Sequence, residues 1–238
     1  MNGSGLVRAI IVALGYVQVV LALIALAVLA KKRALGQYKP LTAILALTVL
    51  GIASLQSLLS LSTNRHLVYQ VYYYSYWSVR TVEDVLLLLF CLEILRRVFS
   101  SWPKAQSIST RIFFLVVFLW CAFSASLFFE PHLPRRYLWI NEKNQLNLLM
   151  GVVSFCSAVV IFACMRRLGF RIRSRYFGFG LGLLFVAVGV FSGHLSGEFE
   201  TRHYGRIVIF AGVAACAQFM SWLAAVSWPE PVRETVSV

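Results

Sequence analysis

Three ionisable side chains within five positions carry the strongest chemical signal in the sequence: Arg80, Glu83 and Asp84, at the end of the stretch YYYSYWSVRTVED. On a helix, Arg80 lies three and four residues from the two acids, spacings at which side chains meet, so a guanidinium–carboxylate pair is expected. The adjacent acids project about 100° apart, and one arginine cannot neutralise both. A charge near the centre of a bilayer costs roughly 2.5–3.5 kcal/mol on insertion scales. At least one carboxylate is therefore expected to find another partner, a proton or a water-filled cavity. Tyr73, Tyr76 and Trp77 stand just before the cluster. Rings with one apolar and one polar end suit the head-group level, and these would also flank the mouth of a polar pocket. Two readings of the ion pair stay open: an interhelical salt bridge that fixes packing, and a ligand site open to water. Arg206, near the start of the last apolar segment, joins the candidate ligand-binding set as a counter-ion, provided the third and seventh segments are neighbours.

A second group lies in SGHLSGEFETRHYGR, residues 192–206. His194 and Glu198 are four apart, and Glu200 and His203 three apart, spacings that put two ligands on one helical face. These four form a candidate metal set, with a solvated, charge-paired loop as the competing reading. Hydrolase and protease signatures are missing: the sequence has no HExxH, no GxGD and no G-x-S-x-G at a strand-to-helix turn. No nucleophile with its base can be assembled, so an enzyme is not expected and no catalytic residue is assigned. The five cysteines (Cys91, Cys121, Cys156, Cys164 and Cys216) fall inside apolar runs, where a thiol is an ordinary packing residue.

The elements that must position these groups are set by composition. The 238 residues are 60% hydrophobic and only 13% charged, with a mean hydropathy of +0.78, beyond the apolar share of an ordinary soluble domain. Apolar runs near 6–30, 41–61, 78–95, 112–129, 146–165, 176–195 and 204–228 predict an all-α polytopic membrane protein. It is read as a single domain, a bundle of seven transmembrane helices. The first run is too long for a signal peptide, and its basic cluster Lys31, Lys32 and Arg33 follows it rather than precedes it, so it is read as an uncleaved helix.

The net charge of +13 is distributed in a way that points away from nucleic acid. Basic residues gather in alternate connections. Lys31, Lys32, Arg33 and Lys39 follow the first run; Arg96, Arg97, Lys104 and Arg111 follow the third; Arg166, Arg167, Arg171, Arg173 and Arg175 follow the fifth. The acids Glu83, Asp84, Glu130, Glu142, Glu198 and Glu200 fall toward the other side. Positive charge marks the cytoplasmic side, which predicts the N-terminus outside and the C-terminus inside. The same clusters would attract anionic lipids at the cytoplasmic face.

Seven helices in that orientation invite comparison with retinal proteins, but residues 204–228 contain no lysine for a Schiff base, so retinal is not expected. Haem is not expected either, because His66, His132, His194 and His203 all belong to the outer edge rather than facing one another inside the bundle. All six prolines sit in connections or at the ends of runs, whereas broken helices are common at transporter midplane sites. Gly178, Gly182, Gly189 and Gly193 repeat at four-residue spacing in two pairs, the small-residue pattern of close helix contact. Internal packing, a homodimer or a partner membrane protein would each use it.

The segments YYYSYWSVRTVEDVLLLLFCLEILRRVF and SRYFGFGLGLLF resemble stretches of seven-helix bacterial membrane proteins that share a Y-x-Y-W run, an acid in the third span and a glycine-rich sixth span. The resemblance implies the shared fold and a bacterial inner membrane, and brings no activity with it. The expectation is a non-enzymatic, receptor-like sensory or accessory subunit that binds a small ligand or a partner in an outward-facing polar pocket. The alternative is a small-solute or proton-coupled transporter.

Overall fold

Runs of leucine, alanine and valine broken only by short polar connections leave the backbone one economical way to satisfy its own hydrogen bonds, the helix. A computed structural model describes residues 3–61, 65–100, 102–127, 135–168, 174–198 and 204–228, with side chains defined chiefly over 12–51, 78–100, 102–122, 145–165, 174–192 and 209–228. The described residues are all-α: α1 (Gly3–Lys31), α2 (Lys39–Leu61), α3 (Arg65–Val98), α4 (Pro103–Leu127), α5 (Arg135–Leu168), α6 (Arg175–Glu198) and α7 (Tyr204–Ser227). Among the described residues five segments are long and apolar enough to cross a membrane: Val12–Lys31, Pro103–Ala122, Gln145–Met165, Arg175–Ser192 and Ile209–Ser227. In α2 the apolar segment Lys39–Gly51 is shorter. Pro40 and Pro103 lie in the first turns of α2 and α4, where the missing N–H costs nothing.

Two helices outrun their apolar cores. The 34 residues of α3 and of α5 correspond to about 51 Å at 1.5 Å per residue, against a hydrocarbon core of about 30 Å. In α3 the helix begins at Arg65, so the tyrosine run is part of it and the Arg80–Asp84 group lies near its middle. Hydropathy drops there, but tyrosine, arginine and glutamine tolerate helix well enough to let it continue.

The turn between α1 and α2 is a helix stop made without glycine. Ala34 N–H donates to Leu29 O at 2.9 Å and Arg33 N–H to Ala30 O at 2.9 Å, the paired bonds of a Schellman motif. Arg33 occupies the left-handed position with φ of 53°. A residue with a Cβ pays roughly 1–2 kcal/mol there. Arg33→Gly is therefore expected to raise stability by about 0.5–1 kcal/mol after the greater freedom of glycine in the unfolded chain is subtracted, measured as the unfolding midpoint in detergent.

Six helices close into a ring in the order α1, α2, α3, α5, α6, α7 and back to α1, while α4 lies outside it against α3 and α5. Phe113, Val117 and Trp120 turn toward the core, and Trp120 Nε1 donates to Gln145 O at 3.1 Å; Ile112, Phe114, Leu115, Phe118 and Leu119 remain exposed. Inside the ring, near the α1–α2 turn, aromatic rings fill the axis. Tyr38 meets Phe179 at 5.3 Å between centroids, Phe90 meets Phe179 and Trp222 at 5.4 Å each, and Phe219 meets Trp222 at 5.7 Å. These distances fall in the favoured tilted and edge-on range.

Charged side chains lock the same end. Lys32 Nζ donates to Val226 O at 2.8 Å and Ser227 O at 2.7 Å, and Arg175 Nε donates to Trp228 O at 2.9 Å. Two cations thus satisfy the orphan carbonyls at the α7 C-terminus, where the helix dipole favours positive charge. Burial, and then the neighbouring Arg175 guanidinium, hold the Lys32 amine below the ordinary lysine value. Arg97 binds Glu93 Oε1 through Nε at 3.1 Å and Nη2 at 2.6 Å, donates to Gln37 O, and lies 4.6 Å from the Tyr38 ring centre. Glu93 and Arg97 therefore tie α3 to the α1–α2 turn, with Arg96 left exposed beside them.

Candidate functional site

The Arg80–Glu83–Asp84 group depends on the helical register of α3. Arg80 lies seven residues before Leu87 and fourteen before Ile94, which places all three on one face. Leu87 and Ile94 are buried on that face, and the opposite one carries the exposed Val82, Val85 and Leu89. The expected pair forms: Arg80 Nη1 donates to Glu83 Oε2 at 2.9 Å. The other carboxylate oxygen, Oε1, accepts from Thr48 Oγ1 of α2 at 3.1 Å. Thr48 Oγ1 also lies 2.9 Å from Ile44 O, so its single proton is shared between two acceptors. Thr48 escapes sequence reasoning because a threonine in an apolar run ordinarily satisfies itself on the preceding turn.

Asp84 is buried, and it has interactions of its own within the chain. Its direction follows from its neighbour one heptad along. Cys91 Sγ lies 4.0 Å from Ser154 Oγ on α5, and both residues are buried. Asp84 therefore lies on the α5 side of α3 while Glu83 turns to α2, the divergence expected for adjacent helical residues. Stepping back one heptad on α5 as well brings Asn147 level with Asp84.

Accessibility changes sharply at this level. The Glu83 side chain is 13% exposed, whereas the Arg80 side chain, on the core-facing side, is 50% exposed. Buried positions begin at Ala22 in α1, Asp84 in α3, Leu149 in α5 and Ala214 in α7, and end at Gly51 in α2 and Ala187 in α6. Beyond them, away from the α1–α2 turn, none of the described residues in 12–21, 78–83, 145–148, 188–192 or 209–213 is buried.

The wall of the ring nevertheless holds at that height through close glycine contacts. A Cβ on Gly51 of α2 would lie 3.1 Å from Val79 Cγ1 of α3. One on Gly151 of α5 would lie 2.8 Å from Val190 Cγ1 of α6, and one on Gly212 of α7 2.9 Å from Leu14 Cδ1 of α1. Neighbouring helices thus remain packed at a level where none of these described residues is fully buried, and the Arg80–Glu83 pair lies at that level above the aromatic plug.

The remaining candidate residues are placed as follows. Tyr73, Tyr76 and Trp77 belong to α3 and Arg206 to α7, and their side chains lie outside the described residues. Among the described residues α3 and α7 are not backbone neighbours and meet through the Phe90 and Trp222 rings. Of the candidate metal set, His194 and Glu198 fall on α6 with side chains outside the described residues, and Glu200 and His203 lie outside them altogether. Among the described residues no group of three or more His, Cys, Asp or Glu side chains is placed to hold a metal ion.

The glycine pattern of α6 serves contact within the chain. A Cβ on Gly178 would lie 2.7 Å from Ala225 Cβ, one on Gly182 would overlap the Trp222 indole, and the Gly189 position faces Ala214 at 3.8 Å, all on α7. Gly193 lies outside the residues with defined side-chain surroundings. Comparison with known proteins adds no assignment to this geometry: no family model, no curated protein and no solved structure matches the chain.

Proposed function

We propose that this chain is a receptor-like sensory or accessory membrane protein that binds a small ligand or a partner segment in a polar pocket at Arg80, Glu83 and Asp84. In this reading all seven helices cross a bacterial inner membrane, with the N-terminus outside and the C-terminus cytoplasmic. The charge pattern supports the orientation. Lys32, Arg33, Arg96 and Arg175 collect at the end closed by the α1–α2 turn, the end that positive charge keeps cytoplasmic. The Arg80–Glu83 pair then lies toward the outer side.

The observation that carries the proposal is the Arg80–Glu83 ion pair within an otherwise apolar helix bundle, with the Arg80 side chain half-exposed on the core-facing side of α3. Ionisable groups at membrane depth are costly and so mark functional sites. The largely covered carboxylate beside the half-exposed arginine supports a receptor for a polar group. The aromatic plug beneath the pair supports a one-sided site over a through-passage, and so supports the binding reading over transport.

Native mass spectrometry of protein extracted gently from its own membranes tests this directly. The expected result is a retained small molecule or stoichiometric partner that is absent from the Arg80→Gln/Glu83→Gln variant, which removes both charges together. A folded wild-type protein carrying bulk lipid alone would oppose the binding reading and leave the ion pair as a packing device.

A further inference from the structure

Of the five segments long and apolar enough to cross a membrane, only Pro103–Ala122 carries a cation well inside its ends, Arg111. This segment belongs to α4, the helix that lies outside the ring. Arg111 follows Lys104 by seven residues with Ser107 between them, so the three share one side of α4. All three are exposed, opposite Phe113, Val117 and Trp120, which pack against the core. The same side continues as the exposed Leu115 and Phe118. Gln106 Nε2 donates to Arg96 O at 3.3 Å, and Arg97 donates to Gln37 O, so α4 starts at the end closed by the α1–α2 turn. From that end, this side of α4 presents two cations and a hydroxyl and then an apolar stripe.

Arg111 lies about 12 Å along α4 from Pro103 at 1.5 Å per residue, a depth at which an uncompensated charge facing lipid is costly. Neither Lys104 nor Arg111 forms an ion pair among the described residues. Glu93, the described acid nearest that end, is held by Arg97 at 2.6 Å. Side chains on a helix lean toward its N-terminus, so the long Arg111 side chain can reach back toward Lys104 and the head-group level. Trp102, 46% exposed just before α4, marks that level.

We infer that this side of α4 seats an anionic phospholipid, its phosphate held between Lys104, Ser107 and Arg111 and its acyl chains laid along Leu115 and Phe118. Two like charges about 10 Å apart along the helix axis gain from an anion between them, and the stripe beyond them suits hydrocarbon. A carboxylate from a second copy would itself have to leave water at that depth. A phospholipid carries its phosphate to the head-group level already. This site lies on a different helix from Arg80 and does not depend on what the Arg80–Glu83 pair binds.

The test offers full-length protein in maltoside micelles equal amounts of phosphatidylglycerol and phosphatidylcholine with matched acyl chains, and reads the retained lipid by native mass spectrometry. The expected result is phosphatidylglycerol held in preference to phosphatidylcholine. A cation near an anionic lipid surface contributes about fivefold, so Arg111→Gln should weaken that preference about fivefold and Lys104→Gln/Arg111→Gln about twenty-five-fold. Both side chains are exposed, so these variants should melt with the wild type. Lys31→Gln/Lys39→Gln removes as much charge from the same end and should leave the preference intact. Equal retention of the two lipids by the wild type would overturn the site. So would an equal loss in Lys31→Gln/Lys39→Gln, which would mean diffuse attraction to the whole basic end. A protein dimer that Arg111→Gln dissociates would assign the cation to a second copy of the chain and overturn the lipid assignment as well.

Discussion

Gly182→Ala is expected to be the most damaging single methyl that can be added to α6, lowering stability by about 3 kcal/mol, the upper part of the range for overpacked cores. A Cβ at that position would overlap Trp222 Nε1 and Cδ1 and lie 3.2 Å from Cε2. The indole cannot step aside. It is fully buried, with Phe90 at 5.4 Å and Phe219 at 5.7 Å between ring centres. Its Nε1 has no hydrogen-bond partner among the described residues, so no hydrogen bond opposes a smaller ring. Trp222→Phe should therefore rescue part of the loss: the double variant is expected to be more stable than the sum of the singles by about 1–2 kcal/mol. Unfolding in mixed micelles measures all four corners of this cycle. Additive effects would mean that the methyl is absorbed by backbone movement and that the Gly182–Trp222 contact is looser than it looks. Gly189→Ala serves as the internal control, since its Cβ would meet Ala214 Cβ at an ordinary 3.8 Å, and it should change stability by no more than about 0.5 kcal/mol.

The two glycines also show where sequence reading stops. Gly178, Gly182 and Gly189 look alike in the sequence, as small residues at helical spacing. Only the facing residue on α7 makes one intolerant of a methyl and another indifferent. The same limit applies to helix order. Hydropathy located each of the seven helices among the described residues, because an apolar run is a local property, although only five carry a segment long and apolar enough to cross a bilayer. It could not set α4 outside the ring, since Phe113 turns inward and the adjacent Phe114 is exposed within one uniformly apolar run. The ends of α3 and α5 escaped for a different reason, namely that helix continues through polar residues after hydropathy has fallen. The Arg80–Glu83 pair was legible because both partners lie on one helix at a spacing of three. Thr48, which comes from α2, was not: its role depends on which helix stands beside α3 and at what height. Arg206 was offered as a counter-ion on condition that the third and seventh helices are neighbours; its side chain lies outside the described residues, among which those helices are not backbone neighbours.

Removing the Glu83 carboxylate should separate structural from binding roles, because the two make different demands on the residue. In Glu83→Ala, Arg80 loses its 2.9 Å partner, while Thr48 keeps Ile44 O at 2.9 Å as an acceptor. The loss therefore falls almost wholly on the guanidinium. With half of that side chain exposed, the cost should be about 1–2 kcal/mol, well short of the roughly 3–5 kcal/mol that follows breaking a fully buried pair. Glu83→Gln keeps one acceptor oxygen, which Arg80 can use while Thr48 turns wholly to Ile44 O, and should cost about half as much. Binding is read separately, as the small molecule or partner that each folded variant retains in native mass spectra. Glu83→Gln is expected to lose it while keeping most of the stability. If adduct and stability instead fall in proportion across the two variants, the pair is a packing element, and the fold rather than a ligand accounts for its place in α3.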